Sequence, residues 1–234
     1  MNYKKAISIV LATLLLTACS GMRGGLTKNE LDSSNNIAVA SLLGTNFNGI
    51  HIGTTIFSNV VYEAAVPEWN IDGFTEELII SRLNQSDLRT AVALQHDPNL
   101  NERLEETWSF LNGYDYKELI ASAKSQGADT LILVKPTRYD NKPFHEPGYG
   151  FYERSFLGNA QSCVYSLFTM TVFSTNSGQE LGWEWGFPCE TGEVEIKWKD
   201  SFDQYTKEET QLLRLKVENS VKQNALSALK ALGY

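Results

Sequence analysis

From Ile37 onward, apolar residues recur in runs of strand or helix length, separated by clusters of Gly, Asn, Ser, Thr and Pro. The first run, Ile37 to Leu43 (IAVASLL), has the length and continuity of a buried strand, and turn residues fill 44–49. Ile50 to Ala64 then alternates, with Ile50, Ile52, Thr54, Ile56, Ser58, Val60 and Tyr62 on one face. This predicts a long strand forming a hairpin with the first. Beyond Pro67, Ile71, Phe74, Leu78 and Ile79 stand near helical spacing, with Asn70 or Asp72 available as a cap, and predict an amphipathic helix over 71–83. Arg89 to Gln95 reads as a strand, and helical stretches follow around 100–111 and 116–125, the second ended by Gly127.

The run Ala128 to Lys135 (ADTLILVK) is apolar throughout its middle, as a central strand requires. Val164 to Phe173, the turn signal STNSG, and the alternating Leu181, Trp183, Trp185 and Phe187 predict a second hairpin with its tryptophans toward the core. A carbohydrate-binding platform is the alternative for that pair. The chain closes in a long helix over 202–232, whose stripe of Leu213, Val217, Val221, Ala225, Ala228 and Leu232 faces inward. Together these elements predict a single α/β (α+β) domain, with helices packed on a mixed β-sheet.

The amino terminus follows a different logic. Met1-Asn-Tyr-Lys-Lys5 is basic, Ala6 to Leu16 is apolar, and Leu16-Thr17-Ala18-Cys19 ends the run, which is the layout of a secretory signal peptide. The tetrad resembles the bacterial lipobox. The resemblance implies removal of residues 1–18, lipidation of Cys19 and attachment to the membrane through acyl chains, palmitate among them. Ser20 rather than Asp after the lipidated cysteine points to the outer membrane, with the body facing the periplasm. Residues 19–36, rich in Gly, Ser and Asn, are expected to form a flexible tether reaching about 20–25 Å, and 37–234 the folded body.

The chain has 20 basic and 28 acidic residues, a net charge of −8, so a nucleic-acid-binding surface is not expected. Losing residues 1–18 would take Lys4 and Lys5 and leave the body more acidic still. Lipid rather than a basic patch should therefore hold it at a membrane. With Cys19 spent on lipid, Cys163 and Cys189 remain in an oxidising compartment, which predicts a disulfide, with a metal or redox pair as the rival reading that lacks a CxxC spacing and a clustered His. A turn centred between Asn176 and Ser177 places them nearly opposite each other across the second hairpin.

The three histidines, His51, His96 and His145, lie in no ligand spacing, so neither metal nor cofactor is expected. His96-Asp97 reads as a capped strand end, with a catalytic pair as its alternative. His145-Glu146, in a Pro- and Gly-rich stretch, is expected to be the most exposed of the three, with a metal or general-base role as its alternative reading. No nucleophile elbow, P-loop or dinucleotide fingerprint is present. A glycan-acting enzyme would need dispersed carboxylates, of which Glu63 and Glu184 are the candidates.

Residues 136–161 (PTRYDNKPFHEPGYGFYERSFLGNAQ) show neither period and read as an inserted loop. Its rings and guanidinium groups are those that dominate interface hot spots. Arg138, Tyr149, Phe151, Tyr152, Arg154 and Phe156 are therefore the predicted partner-binding set, with a cover over the sheet as the alternative.

The segment KSQGADTLILV, a helix ending in Gly-Ala-Asp before an apolar strand, resembles the module shared by the TolB amino-terminal domain, the curli-secretion lipoprotein CsgG and the penicillin-binding-protein activator LpoB. The resemblance covers roughly 37–134. It implies a non-catalytic binding or assembly lipoprotein with an envelope protein as partner, and it brings no catalytic residues. A multimeric, CsgG-like pore component, and with it a homo-oligomer, is the third reading beside adaptor and enzyme.

Overall fold

The computed structural model describes residues 24–96, 103–104, 106–107, 113–138, 145–157, 159–187, 189 and 196–234. The signal peptide and Cys19, most of the helix expected over 100–111, and Tyr139 and Phe144 fall outside these residues.

The eight strands are β1 (Asn36–Ser41), β2 (Asn46–Ile52), β3 (Val60–Ala65), β4 (Thr90–Ala93), β5 (Thr130–Pro136), β6 (Gly148–Phe156), β7 (Asn159–Ser174) and β8 (Glu180–Gly186). Among the described residues the longer helices are α1 (Lys28–Ser33), α2 (Ile71–Leu83), α3 (Lys117–Ser125) and α4 (Lys207–Leu232). The strands form one mixed sheet and the chain is a single α+β domain, as the hydrophobic pattern predicts.

β7 joins two wings. Its amino-terminal half pairs antiparallel with β6, from Phe156↔Asn159 to Gly148↔Leu167. Its carboxy-terminal half pairs with β5 on the same edge and with β8 on the other. β1 lies parallel to β5 and β2 parallel to β6, so β1 and β2 follow each other in line rather than folding back as a hairpin. The hairpin expected of β1 is instead made by β2 and β3, because the alternating run 50–64 is broken by a short 3-10 turn at Ile56–Ser58.

Helices cover both faces. On one, α2 and α4 bury Ile71, Ile79, Leu213, Val217, Val221 and Leu232 against Ile37, Val39, Ile132, Val134 and Met170. On the other, Leu119, Ile120 and Ala123 of α3 cover Ala38, Ala40, Leu131 and Leu133. β1 and β5, sandwiched between layers, are buried along almost their whole length, which explains their continuous apolar sequences.

α4 starts from a capping box of Thr206 and Glu209 and ends at Gly233, whose φ of 103° favours glycine. It crosses β8 on the face of Gly182 and Gly186. A Cβ at Gly186 would lie 2.7 Å from the Phe168 ring and 3.1 Å from Asn224 Cβ, so only glycine admits the helix there. Trp183 and Trp185 therefore sit on the opposite face, half-buried and edge-to-face at 5.5 Å, rather than in the core as expected. Asn224 of α4 donates to the Ser166 carbonyl (3.0 Å) and hydroxyl (2.6 Å), a buried polar lock in this interface.

The expected tether is also shorter than the composition implied. Leu26 N donates to Leu232 O at 3.1 Å, and α1 carries its own capping box between Thr27 and Glu30. The folded body thus begins well before Ile37.

Candidate functional site

Residues 136–161 are not one loop. Gly148–Phe156 is β6, an inner strand between β2 and β7, and 159–161 open β7. Its glycines and rings mimic a loop, yet both faces of the strand are covered over Gly148–Phe151.

This placement divides the predicted partner-binding set. Tyr149 and Phe151 are fully buried and cannot be an exposed contact: Tyr149 stacks on Trp69 and donates its hydroxyl to Gly44 O at 3.1 Å, and Phe151 lies against Trp198. Burial raises the Tyr149 phenol above its ordinary pKa, with the Asp72 and Glu68 charges adding to the effect. Tyr152 points to the other face, half-buried, its ring stacked on His145. Arg138 is solvated and pairs with Glu146 at 2.7 Å. Arg154 and Phe156 lie on the same face as Tyr152, toward the end of the wing.

That end is where the apolar surface collects. Ile56 (78% exposed) and Phe57 (93%) stand on the turn between β2 and β3, and Phe156 (57%) and Leu157 (75%) on the turn between β6 and β7. Leu157 N donates to Thr54 Oγ1 at 3.4 Å, which ties the two turns together. Beside them, Val61 on edge strand β3 is exposed on the face that carries Ile50 and Tyr152. Residues 52–62 contain no charged side chain, and from Arg154 through Ser166 the sole charge is Arg154 itself. In a chain with 21% charged residues this is a concentrated, charge-poor apolar tip.

Leu157 adopts φ 49°, in the left-handed region that a branched side chain disfavours by about 1–2 kcal/mol. Tight strand turns ordinarily place Asn, Asp or Gly there. A large apolar side chain thus stands exposed at the tip on a backbone conformation that carries strain.

Of the remaining candidate chemistry, Asp97 of the His96-Asp97 pair lies outside the described residues. His51 bridges Glu153 (3.1 Å) and Ser155 (3.3 Å) across the parallel pair β2–β6 and packs on Trp198. Glu63 pairs with Asn46. Glu63 on β3 and Glu184 on β8 have β2, β6 and β7 between them, roughly 19 Å at about 4.8 Å per strand. Paired glycosidase carboxylates stand roughly 5–9.5 Å apart, so these two do not form such a pair. Asp72, at the first turn of α2, accepts from Ser41 Oγ (2.7 Å), Leu43 N (2.7 Å) and Gly44 N (3.0 Å), and thereby fixes the corner between β1 and β2. Burial raises its carboxyl pKa, with these three hydrogen bonds and His96 pulling the other way. Glu76, one turn on, accepts from Ser41 N at 2.9 Å and is raised by burial likewise.

The predicted disulfide joins Cys163 and Cys189, with Cα atoms 5.5 Å apart. It is diagonal rather than directly opposite: Tyr165 faces Cys189, and Cys163 lies two residues earlier in β7. Among the described residues no helix is long and apolar enough to cross a membrane.

No family model and no curated protein matches the chain. Among solved structures it is similar over 83% of its length to 81% of a DUF330-family protein from Xanthomonas campestris, at 8% identity and a TM-score of 0.40. It is similar over 90% of its length to 93% of a chain of the PelC dodecamer from Paraburkholderia phytofirmans, at 11% identity and 0.35. A third likeness, over 76% of its length, is to 92% of the LpoB carboxy-terminal domain from Salmonella enterica, at 11% identity and 0.28.

Proposed function

We propose that the chain is an outer-membrane lipoprotein, anchored through Cys19, whose periplasmic domain binds an envelope protein as a non-catalytic adaptor or assembly module. The observation that carries the binding role is the tip: four large apolar side chains on two adjoining turns, one held exposed in a disfavoured backbone conformation. The lipobox-like tetrad supports the anchor.

The tip and the anchor belong to opposite ends of the domain. Gly24 lies against Gly182 and Glu184 of β8, which pair with Val172 and Met170 of β7. The tip lies just before Asn159, thirteen residues earlier along β7, a contour of about 43 Å. Gly24 is five residue steps from Cys19, a span of at most about 18 Å. A domain standing on its lipid therefore presents the tip away from the membrane, toward a protein in the periplasm.

In-cell crosslinking of the tagged full-length protein, with mass spectrometry of what is captured, tests this reading. Wild type should capture a defined envelope protein that Phe57→Ser and Leu157→Ser variants lose. Equal capture by all three would remove the tip from the interface. Cys19→Ser should move the protein from the membrane to the soluble fraction, and unchanged fractionation would remove the anchor.

A further inference from the structure

The geometry points to a latent binding site for a thiophilic d10 cation, Zn(II) or Cu(I), formed by His145, Cys163 and Cys189 when the disulfide is reduced. The two cysteines come from β7 and from the segment that continues β8, and His145 comes from the stretch leading into β6. One ligand atom from each of the three falls within 4.8 Å of the others. His145 Nε2 stands 4.0 Å from Cys189 Sγ. Donor atoms around a zinc ion, at about 2.3 Å for sulfur and 2.0–2.1 Å for nitrogen, lie about 3.5–3.8 Å apart, so imidazole and thiolate are already near ligand spacing. Opening the disulfide leaves only the two sulfurs to separate.

The surroundings suit a soft cation. His145 is buried, its ring stacked on Tyr152 and edge-on to Tyr165 and Phe187. Tyr165 and Leu167 complete an apolar cluster around Cys163. This packing fixes the plane of the imidazole before any metal arrives, and the set of two sulfurs and one ring nitrogen is the kind that softer ions prefer to harder ones. Two thiolates and one imidazole suit Cu(I) with three ligands, or Zn(II) with a water as the fourth.

Reduction and loading balance as follows. A dithiol reductant gives two electrons and two protons: the Cys163–Cys189 bond breaks, two protein thiols form, and the reductant closes its own disulfide. The cation then displaces both thiol protons to solvent and takes His145 as its neutral ligand. The oxidised protein keeps a covalent crosslink, and the reduced protein gains a metal crosslink between the same two segments.

The test uses the full chain with Cys19→Ser, so that only the two body thiols remain. It is reduced with a phosphine under anaerobic conditions and titrated with Zn(II) against a chromogenic chelator and, separately, with Cu(I) supplied as its bicinchoninate complex. The expected result is one equivalent bound by the reduced protein and none by the oxidised protein, with affinity about a hundredfold weaker in His145→Gln. Equal uptake by oxidised and reduced protein, or an unchanged affinity in His145→Gln, would overturn the site. Because a buried histidine is being replaced, X-ray absorption of the metal-loaded wild type gives a second reading: two sulfurs and one imidazole nitrogen support the site, and a shell of sulfur without nitrogen overturns it.

Discussion

Replacing Leu157 by Asn should make the protein more stable and less able to bind. Asn accepts the left-handed conformation that Leu157 adopts at φ 49°, which recovers about 1–1.5 kcal/mol of backbone strain. With 75% of Leu157 exposed, only a quarter of its apolar surface is lost from contact, about 0.5 kcal/mol. The hydrogen bond to Thr54 is kept, because it is made by the backbone N–H. The net gain is about 0.5–1 kcal/mol, or roughly 2–3 °C in melting temperature for a domain of this size. Thermal and urea unfolding followed by tryptophan fluorescence read this directly, with the crosslinking capture run in parallel. A lower melting temperature would show that the turn holds Leu157 for its packing. Unimpaired capture would show that the exposed side chain does not bind.

The remaining expectations concern the frame around the tip. Asp72→Ala removes the acceptor for Leu43 N and Gly44 N and should cost about 3–5 kcal/mol in urea unfolding, whereas a loss below about 1 kcal/mol would deny the carboxylate its corner role. Because burial raises the Asp72 pKa, its protonated form is favoured in the fold. The stability advantage of wild type over Asp72→Asn should therefore be greatest below the ordinary carboxyl pKa of 3.8 and shrink as pH rises through the raised value, and a gap that widens with pH would reverse the sign. Reducing Cys163–Cys189 without metal opens a crosslink of sequence separation 26 and should lower stability by about 3–4 kcal/mol, measured as the shift in urea midpoint. Gly186→Ala should destabilise by about 1–3 kcal/mol through its clash with Phe168 and Asn224, and no change in melting temperature would mean that α4 does not press on β8.

Elements whose apolar residues keep one period over their full length were legible in the sequence. α2 occupies 71–83 as its spacing predicts, and all six stripe residues of α4 are buried. β5 and the β7–β8 hairpin follow their patterns within a few residues. β6 was hidden because Gly148-Tyr-Gly-Phe-Tyr has the composition of a turn, and only the rings closing over both of its faces make it a strand. The alternation of 50–64 concealed the break at Ile56–Ser58, since a period of two continues across a turn whose apolar residues face solvent. The tryptophans of β8 share a face with Leu181 and Phe187 as their alternation predicts, but that face is only half-buried, because the helix approaches on the glycine face, which carries no hydrophobic signal. The tip and the His145 cluster are each assembled from segments about a hundred and about forty residues apart, with no local motif in either.

The shared strand β7 also sets how the domain carries load. A force between the amino-terminal attachment at β8 and a partner held at the tip would run lengthwise down β7, through its ladders with β8 at one end and β6 at the other. Those hydrogen bonds lie across the direction of pull, so they must shear together rather than unzip singly. The domain is thus built as a tie, with its longest strand running along the line from Gly24 at β8 to the turns that carry Phe57 and Leu157.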